Sequence, residues 1–263
     1  MQTFTPGLLK GKTVFIAGGS SGINLGIAHG LAEAGARISI ISRKIDKVEA
    51  AVAELKATGA EAMGAAADVR DYAAVEETLR ATHAAWGEID GVISGAAGNF
   101  LAPAIGMSAN AFKTVIDIDL LGTFNVLRAS YEFLRKPGAS VISITAGQAV
   151  NATLFQSHVC AAKAGINMLT KVLAMEWGPA GVRVNAIAPG PIADTEGMAR
   201  LTPTPEAEAA LKAVIPLRDY GTKQDIADLA IYLCSESARY ITGAILDCDG
   251  GSSLGRGLQP AKG

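Results

Sequence analysis

The chain has 263 residues, of which 49% are hydrophobic and 18% charged, and its formal net charge is −2. This length suits one large α/β domain that buries a core without disulfides or metals, and the charge leaves no basic surface for nucleic acid. No apolar run is long enough to span a membrane.

The three cysteines, Cys160, Cys234 and Cys248, show no spacing typical of a metal site. Scattered cysteines in odd number are typical of small buried side chains in a reducing compartment. We expect no signal peptide in the opening stretch MQTFTPGLLKGK and no peroxisomal Ser-Lys-Leu signal in the final PAKG. The sequence therefore predicts a soluble cytoplasmic protein that binds no metal, nucleic acid or membrane.

Segments typical of strands and helices alternate along the chain. The predicted strands cover residues 14–17, 37–42, 60–67, 89–94, 140–145, 183–187 and 244–247. The predicted helices cover residues 23–34, 44–58, 72–86, 109–136, 157–177 and 223–235. This alternation predicts an α/β fold with a doubly wound parallel sheet of about seven strands and helices on both faces. The polar segment 195–215 contains prolines, and we expect it to form a mobile flap.

The stretch VFIAGGSSGINLG, at residues 14–26, is the motif around which the chain is organised. A short apolar strand runs into a glycine-rich turn, and an amphipathic helix follows. The glycines let the backbone approach a pyrophosphate, and free N–H groups at the helix start favour negative charge. The motif predicts a phosphate cradle, the alternative being a tight turn without a ligand. The cradle residues are Gly18, Ser20, Ser21, Gly22 and Ile23.

The end of the second predicted strand indicates which dinucleotide binds. Proteins that bind NAD usually carry a carboxylate there for the ribose 2′-OH. Here the chain reads Ser42-Arg43-Lys44. A guanidinium fits a 2′-phosphate through two parallel hydrogen bonds, so the sequence favours NADP(H). The alternative is that Arg43 is a solvated loop residue.

The glycine spacing resembles that of the short-chain dehydrogenase/reductase family, Gly-x-x-x-Gly-x-Gly, with Asn24 in place of the third glycine. The segments at 189–195 and 249–251 resemble two further motifs of the family, so the resemblance covers nearly the whole chain. It implies one Rossmann-type domain, 1–263, with a cofactor half at about 10–150 and a substrate flap at about 192–218. It also implies further cofactor-binding residues, namely Asp68, Val69, Ala96, Ala97, Gly98, Lys163, Pro189, Gly190, Ile192 and Thr195.

Most of the catalytic tetrad of that family is missing. Lys163 is present, but Val159 stands at the tyrosine position, Ala146 at the serine position and Asp119 at the asparagine position. Reduction of a ketone creates an alkoxide that must be protonated, and a valine cannot donate that proton. Conjugate reduction of an alkene instead needs hydrogen-bond donors for an enolate and a proton on carbon.

Residues 95–126, which include the run Ala-Ala-Gly-Asn-Phe, resemble the corresponding stretch of the 2,4-dienoyl-CoA reductases, especially the peroxisomal kind. That group also lacks the tyrosine. The resemblance implies NADPH-dependent reduction of 2,4-dienoyl-CoA to 3-enoyl-CoA, with Asp119, Lys163 and Asp249 as catalytic residues. It implies contacts to the acyl-CoA substrate from Arg43, Arg70, Phe100, Ser108 and Arg200.

The residues leave two alternative functions open, and one predicted helix indicates an assembly. The chain could be a carbonyl or hydroxyacyl dehydrogenase with a displaced acid such as Thr145 or His158, or a non-catalytic NADP-binding protein. The predicted helix 157–177 is apolar nearly all round. Because monomers rarely expose such a surface, we expect a homotetramer with this helix at an interface.

Overall fold

A computed structural model of the protein describes residues 4–255. Within this range the strands form one parallel sheet in the order β3-β2-β1-β4-β5-β6-β7. The last four residues of the chain, which were compared above with a peroxisomal signal, lie outside it. The strands are β1 Thr13–Ala17, β2 Arg37–Ser42, β3 Ala62–Ala66, β4 Gly91–Ser94, β5 Ser140–Ile144, β6 Arg183–Pro189 and β7 Ile245–Cys248. The predicted doubly wound sheet is confirmed.

Helices cover both faces of this sheet. The helices of the described range are α1 Gly22–Glu33, α2 Ile45–Ala57, α3 Tyr72–Trp86, α4 Ala109–Val115, α5 Gly122–Ser130, α6 Ser157–Trp177, α7 Glu196–Leu201, α8 Pro205–Lys212 and α9 Lys223–Cys234. A π-helical stretch, Ile116–Leu121, joins α4 to α5. No helix in residues 4–255 combines the length and the apolar content needed to cross a bilayer.

The core lies in two layers, one on each side of the sheet. Neighbouring strand residues point to opposite faces, so Ile16 joins a cluster with α1, α2 and α9, while Phe15 joins a cluster with α3, α5 and α6. Strands β1, β4 and β5 are buried along their whole length. Burial on both faces explains why β1 contains a continuous apolar run, VFIA, rather than an alternating pattern.

Three expectations about local structure were wrong in part. The single helix expected over 109–136 is interrupted by the π-helical stretch and ends at Ser130, because Leu134 pairs with Ile89 beside the sheet and Pro137 cannot continue a helix. The expected flap contains two short helices, α7 and α8, capped by threonine side chains. Of the three cysteines only Cys234 is fully buried, and all three are free thiols.

Candidate functional site

The residues predicted to bind a dinucleotide lie at the carboxyl edge of the sheet. Strands β2 and β3 are added on one side of β1, whereas β4 to β7 are added on the other side. Such a switch point between β1 and β4 opens a crevice beyond the strand ends. The loops after β1 and β4 form the two sides of the crevice. The loop after β2 extends along the same edge, since parallel strands all end there.

The loop after β1 has the geometry of a phosphate cradle. Gly18 and Gly22 have φ angles of +80° and +60°, which side chains other than glycine rarely adopt. A Cβ on Gly18 would lie 2.9 Å from the Ala96 nitrogen, so the two loops approach each other closely. Helix α1 begins at Gly22, and no side chain caps its start at Ser21. The N–H groups of its first turn are therefore open to a phosphate, as a dinucleotide requires.

Asn24 ties the two sides of the crevice together. Its Nδ2 donates to the Gly95 carbonyl at 2.8 Å and to the Gly18 carbonyl at 3.4 Å. The side chain is 8% exposed and packs so closely that a Cβ on Gly95 would lie 2.2 Å from Asn24 Oδ1. Sequence reasoning treated Asn24 only as a tolerated replacement for glycine, and the replacement itself was the one signal of this bridge.

Two arginines, Arg43 and Arg70, lie just after the ends of β2 and β3. Arg70 binds the Asp68 carboxylate through two side-chain hydrogen bonds, of 2.6 Å and 3.0 Å. The Arg70 guanidinium holds the pKa of Asp68 below its ordinary value, and Arg43 adds a smaller effect in the same direction. Arg43 itself is exposed and directly follows Ser42, the last residue of β2. An exposed guanidinium at this position suits a phosphate on the adenosine ribose.

Asp119 and Lys163 form a buried ion pair beside the loop after β4. The distance from Lys163 Nζ to Asp119 Oδ2 is 3.1 Å, and the side chains are 8% and 1% exposed. Asp119 Oδ1 accepts a hydrogen bond from the Gly98 amide at 2.7 Å, and Lys163 Nζ donates to the Ile144 carbonyl at 3.2 Å. The sequence indicated both residues as catalytic, but it did not predict their direct ion pair, and the carbonyl of Ile144 carries no side-chain signal and was missed.

The π-helical stretch Ile116–Leu121 carries Asp119. Turns of this kind are rare and concentrate at functional sites. Close packing holds the stretch on both sides. A Cβ added to Gly165 of α6 would lie 2.8 Å from the Leu120 side chain. A Cβ added to Gly122 would lie 2.5 Å from the Val69 side chain. The side chain of Asn125 also donates to the Val69 carbonyl at 2.9 Å.

The position of the family tyrosine is apolar in three dimensions as well as in sequence. Val159 is 4% exposed and belongs to the buried face of α6. Thr145, considered above as a displaced acid, is 3% exposed, and its hydroxyl donates to the Lys163 carbonyl at 3.4 Å. That contact gives Thr145 a structural role beneath the lysine.

Asp249 lies beside the segment expected to hold the nicotinamide. A Cβ on Gly190 would be 2.5 Å from the Asp249 Cα, so the end of β6 and the residue after β7 are in close contact. Burial raises the pKa of Asp249, but hydrogen bonds from Ser253, Gly251 and Ser252 outweigh it, and the pKa lies below its ordinary value. The carboxylate therefore caps this turn, and its catalytic role stays a prediction.

The remaining predicted residues make mostly local contacts. Thr195 donates to the Ile192 carbonyl at 2.8 Å and caps α7. Ser108 caps α4 by accepting from the Ala111 amide at 3.1 Å, and Arg200 pairs with Glu196 on α7. Phe100 differs from these, because its ring lies 4.3 Å from the ring of His158 on α6.

These features are those of a dinucleotide-dependent oxidoreductase with a Rossmann-type sheet. The chain belongs to the short-chain dehydrogenase/reductase family, and residues 17–253 match the family model described as "Enoyl-(Acyl carrier protein) reductase". Members of this family use a nicotinamide cofactor. The glycine-rich cradle and the free N–H groups of α1 fit the pyrophosphate of such a cofactor.

Three similar proteins bear on the function. The peroxisomal 2,4-dienoyl-CoA reductase of Rattus norvegicus is 44% identical over 95% of this chain and 86% of its own. A probable 2,4-dienoyl-CoA reductase of Bacillus subtilis is 36% identical over 94% of this chain and 98% of its own. The structure of a citronellol catabolism dehydrogenase from Pseudomonas aeruginosa PAO1 has a TM-score of 0.84, with 32% identity over 96% of this chain and 99% of that one.

Proposed function

We propose that the protein reduces 2,4-dienoyl-CoA to 3-enoyl-CoA with NADPH, as a step of fatty acid degradation. The observation on which this proposal rests is the buried Asp119–Lys163 pair together with the buried valine at position 159, because Lys163 is present while residue 159 offers no phenol to protonate an alkoxide. The relatives named as 2,4-dienoyl-CoA reductases support the same substrate class. The name of the Rattus norvegicus relative states a (3E)-enoyl-CoA product, and that of the Bacillus subtilis relative states a (2E)-enoyl-CoA product. For this chain we propose the 3-enoyl product.

The residues that would hold the cofactor line the crevice. The pyrophosphate would lie on the loop at Gly18 and the start of α1, and the nicotinamide near Gly190 and Thr195. Bound NADPH would supply a hydride to C5 of the dienoyl chain. We propose NADPH over NADH because Arg43 is exposed at the end of β2, and because Asp68, the carboxylate shortly after the end of β3, is already paired with Arg70.

Residues of this chain would stabilise the negative charge of the enolate and direct the proton that the α-carbon receives. Negative charge spreads to the thioester oxygen and the α-carbon, so a nearby cation lowers the energy of the enolate. Lys163 would supply that cation and would also hold the nicotinamide ribose. Asp119 Oδ2 faces the Lys163 ammonium at 3.1 Å and makes no other polar contact among the described residues, and we propose that it orients a water that protonates the α-carbon.

Two parts of the surface suit an acyl-CoA. The flap at residues 192–218 exposes Leu201 and Leu217, at 54% and 76%. We propose that these leucines contact the acyl chain. Arg43, Arg70 and Arg200 are exposed cations that would meet the phosphates of CoA.

We also propose a homotetramer. On α6 the apolar side chains Met168, Val172 and Met175 are 61%, 41% and 81% exposed along one stripe, and Phe124 on α5 is 41% exposed. A second copy of this chain is the proposed occupant, because large apolar side chains are exposed on both helices and monomers rarely expose such surface. Sedimentation velocity at working concentration should show a tetramer, and a monomer would contradict this proposal.

A cytoplasmic location is the last part of the proposal. The three free thiols support it, since they are typical of proteins in a reducing compartment. Imaging of the tagged protein in its own cell should show diffuse cytoplasmic signal, and an organellar pattern would contradict it.

The test of function is a substrate panel. Oxidation of NADPH should be fast with 2,4-dienoyl-CoA and at background level with 3-ketoacyl-CoA and simple ketones. Chromatography of the product should show 3-enoyl-CoA. Turnover of ketones alone would favour the carbonyl dehydrogenase, and cofactor binding without any turnover would favour the non-catalytic protein.

A further inference from the structure

His158, the second residue of α6, is a buried polar side chain without a partner. It is 0% exposed, and neither Nδ1 nor Nε2 has a hydrogen-bond partner among the described residues. Leaving a buried polar group unpaired costs free energy, so such a group in a folded protein requires an explanation. An imidazole always carries at least one N–H donor. Here that donor has no acceptor within residues 4–255.

The imidazole lies in the wall of the candidate site. Phe100 covers it, with ring centroids 4.3 Å apart and an angle of 30° between the ring planes. Phe100 lies two residues after Gly98, and the Gly98 amide donates to Asp119. The same loop meets the chain just before α6 again, where the Ala102 amide donates to the Phe155 carbonyl at 3.0 Å. A single loop thus contacts Asp119 on one side and His158 on the other.

The chemistry of the site leaves one task unassigned. Conjugate hydride addition needs a hydrogen-bond donor for the thioester oxygen. The carboxylates of Asp119 and Asp249 can only accept. The Lys163 ammonium has three N–H donors, of which two face Asp119 and the Ile144 carbonyl and the third is the one proposed for the nicotinamide ribose. The Thr145 hydroxyl already donates to the Lys163 carbonyl. Among these side chains, the N–H of His158 is the donor without a partner.

We infer that His158 donates a hydrogen bond to the thioester carbonyl oxygen of bound acyl-CoA. This inference rests on the proposed function. Phe100, which is 38% exposed, covers the imidazole until the substrate displaces its ring. No bond to His158 forms or breaks. The N–H proton stays on the ring, the enolate oxygen accepts the hydrogen bond, and the proton for the α-carbon comes from water.

Matched variants separate the nitrogen atoms from the ring. His158→Phe keeps a ring against Phe100 and removes the donor, while His158→Gln keeps a donor in its amide. His83→Phe is the control, because His83 also lies beside a phenylalanine, with 5.7 Å between the ring centroids, on α3 outside the site. We expect His158→Phe to lower kcat about 10²- to 10³-fold, as loss of one oxyanion donor does. His158→Gln should be at least about tenfold more active than His158→Phe, and the control should match the wild type.

A spectroscopic readout tests the contact itself. In the dead-end complex of wild type with NADP⁺ and 2,4-dienoyl-CoA labelled with ¹³C at the thioester carbonyl, the infrared carbonyl band should lie below that of free substrate. In His158→Phe the band should return toward the free position. The inference would be overturned if kcat of His158→Phe were within twofold of the wild-type value. It would also be overturned if the carbonyl band lay at the same position in His158→Phe and in the wild type.

Two safeguards keep the test decisive. His158→Leu carries the same expectation if the phenylalanine variant does not fold. Wild-type protein that neither binds nor reduces the dienoyl-CoA would overturn the proposed function instead. Wild-type turnover with unimpaired His158→Phe and His158→Leu would overturn only the role of His158.

Discussion

Replacing Asp119 by asparagine is the sharpest perturbation of the catalytic pair. Asp119→Ala would leave the Gly98 amide without its acceptor and the Lys163 ammonium buried without a counter-charge. Breaking a buried pair in this way costs about 3–5 kcal/mol, a large part of the stability of a domain. Asp119→Asn removes the charge and keeps an oxygen for the Gly98 amide, so the fold and the loop are better preserved.

We expect Asp119→Asn to lower kcat about 10²-fold, the lower end of what lost acid–base catalysis costs, which corresponds to about 2.7 kcal/mol. Lys163 keeps its hydrogen bond to the Ile144 carbonyl and stays in place for the ribose. The dissociation constant of NADPH should therefore change little, by less than about threefold, or under about 0.7 kcal/mol. The assay is steady-state oxidation of NADPH with 2,4-dienoyl-CoA, together with cofactor titration followed by fluorescence.

Asp117→Asn is the matched control for this experiment. Asp117 lies two residues away on the same π-helical stretch and pairs with Lys113 at the surface. Surface pairs of this kind contribute about 0–1 kcal/mol, so activity should stay near that of the wild type. Near-wild-type kcat in a folded Asp119→Asn variant would refute the reasoning, and the proton source would then lie elsewhere.

Four further outcomes follow from the same contacts. Lys163→Ala should lower kcat and weaken NADPH binding together, and unchanged cofactor affinity in a titration would remove Lys163 from the ribose site. Arg43→Asp should reverse the cofactor preference from NADPH to NADH, whereas a wild type that is equally efficient with NADH would contradict the role of Arg43. Val159→Tyr should not improve dienoyl-CoA turnover, since no alkoxide has to be protonated, and a rise in kcat would count against the proposed reaction. Because the pKa of Asp249 is depressed in the folded protein, its stabilising contribution is full above the ordinary value of 3.8 and is lost as pH falls through the lowered pKa. Acid unfolding curves should show a smaller loss over that window for Asp249→Asn than for wild type.

The sheet was predictable because its signals are local. Continuous apolar runs such as that of β1 arise where both faces are buried, and the alternation with helices then restricts the topology to few arrangements. The break in the helix over 109–130 was not predictable. Nothing in the run Ile116–Leu121 marks a π-helical turn, which depends on packing against Gly165 and Val69.

The candidate site shows the same division between local and tertiary information. The resemblance placed Asp119 and Lys163 near each other, since the family motif carries both positions. The two groups that fix their geometry are the Gly98 amide and the Ile144 carbonyl, and backbone groups have no sequence signature. The burial of His158 without a partner likewise depends on how Phe100 folds back onto α6.

Isotope mapping of the product tests the central claim most directly. The protein would reduce 2,4-dienoyl-CoA with NADPH deuterated at the transferred position of C4, in ordinary water, and the product would be examined by NMR. We predict 3-enoyl-CoA with deuterium on C5 and a solvent proton on the carbon next to the thioester. Deuterium on any other carbon would contradict the account. Failure of folded protein that binds NADPH to form this product would contradict it as well.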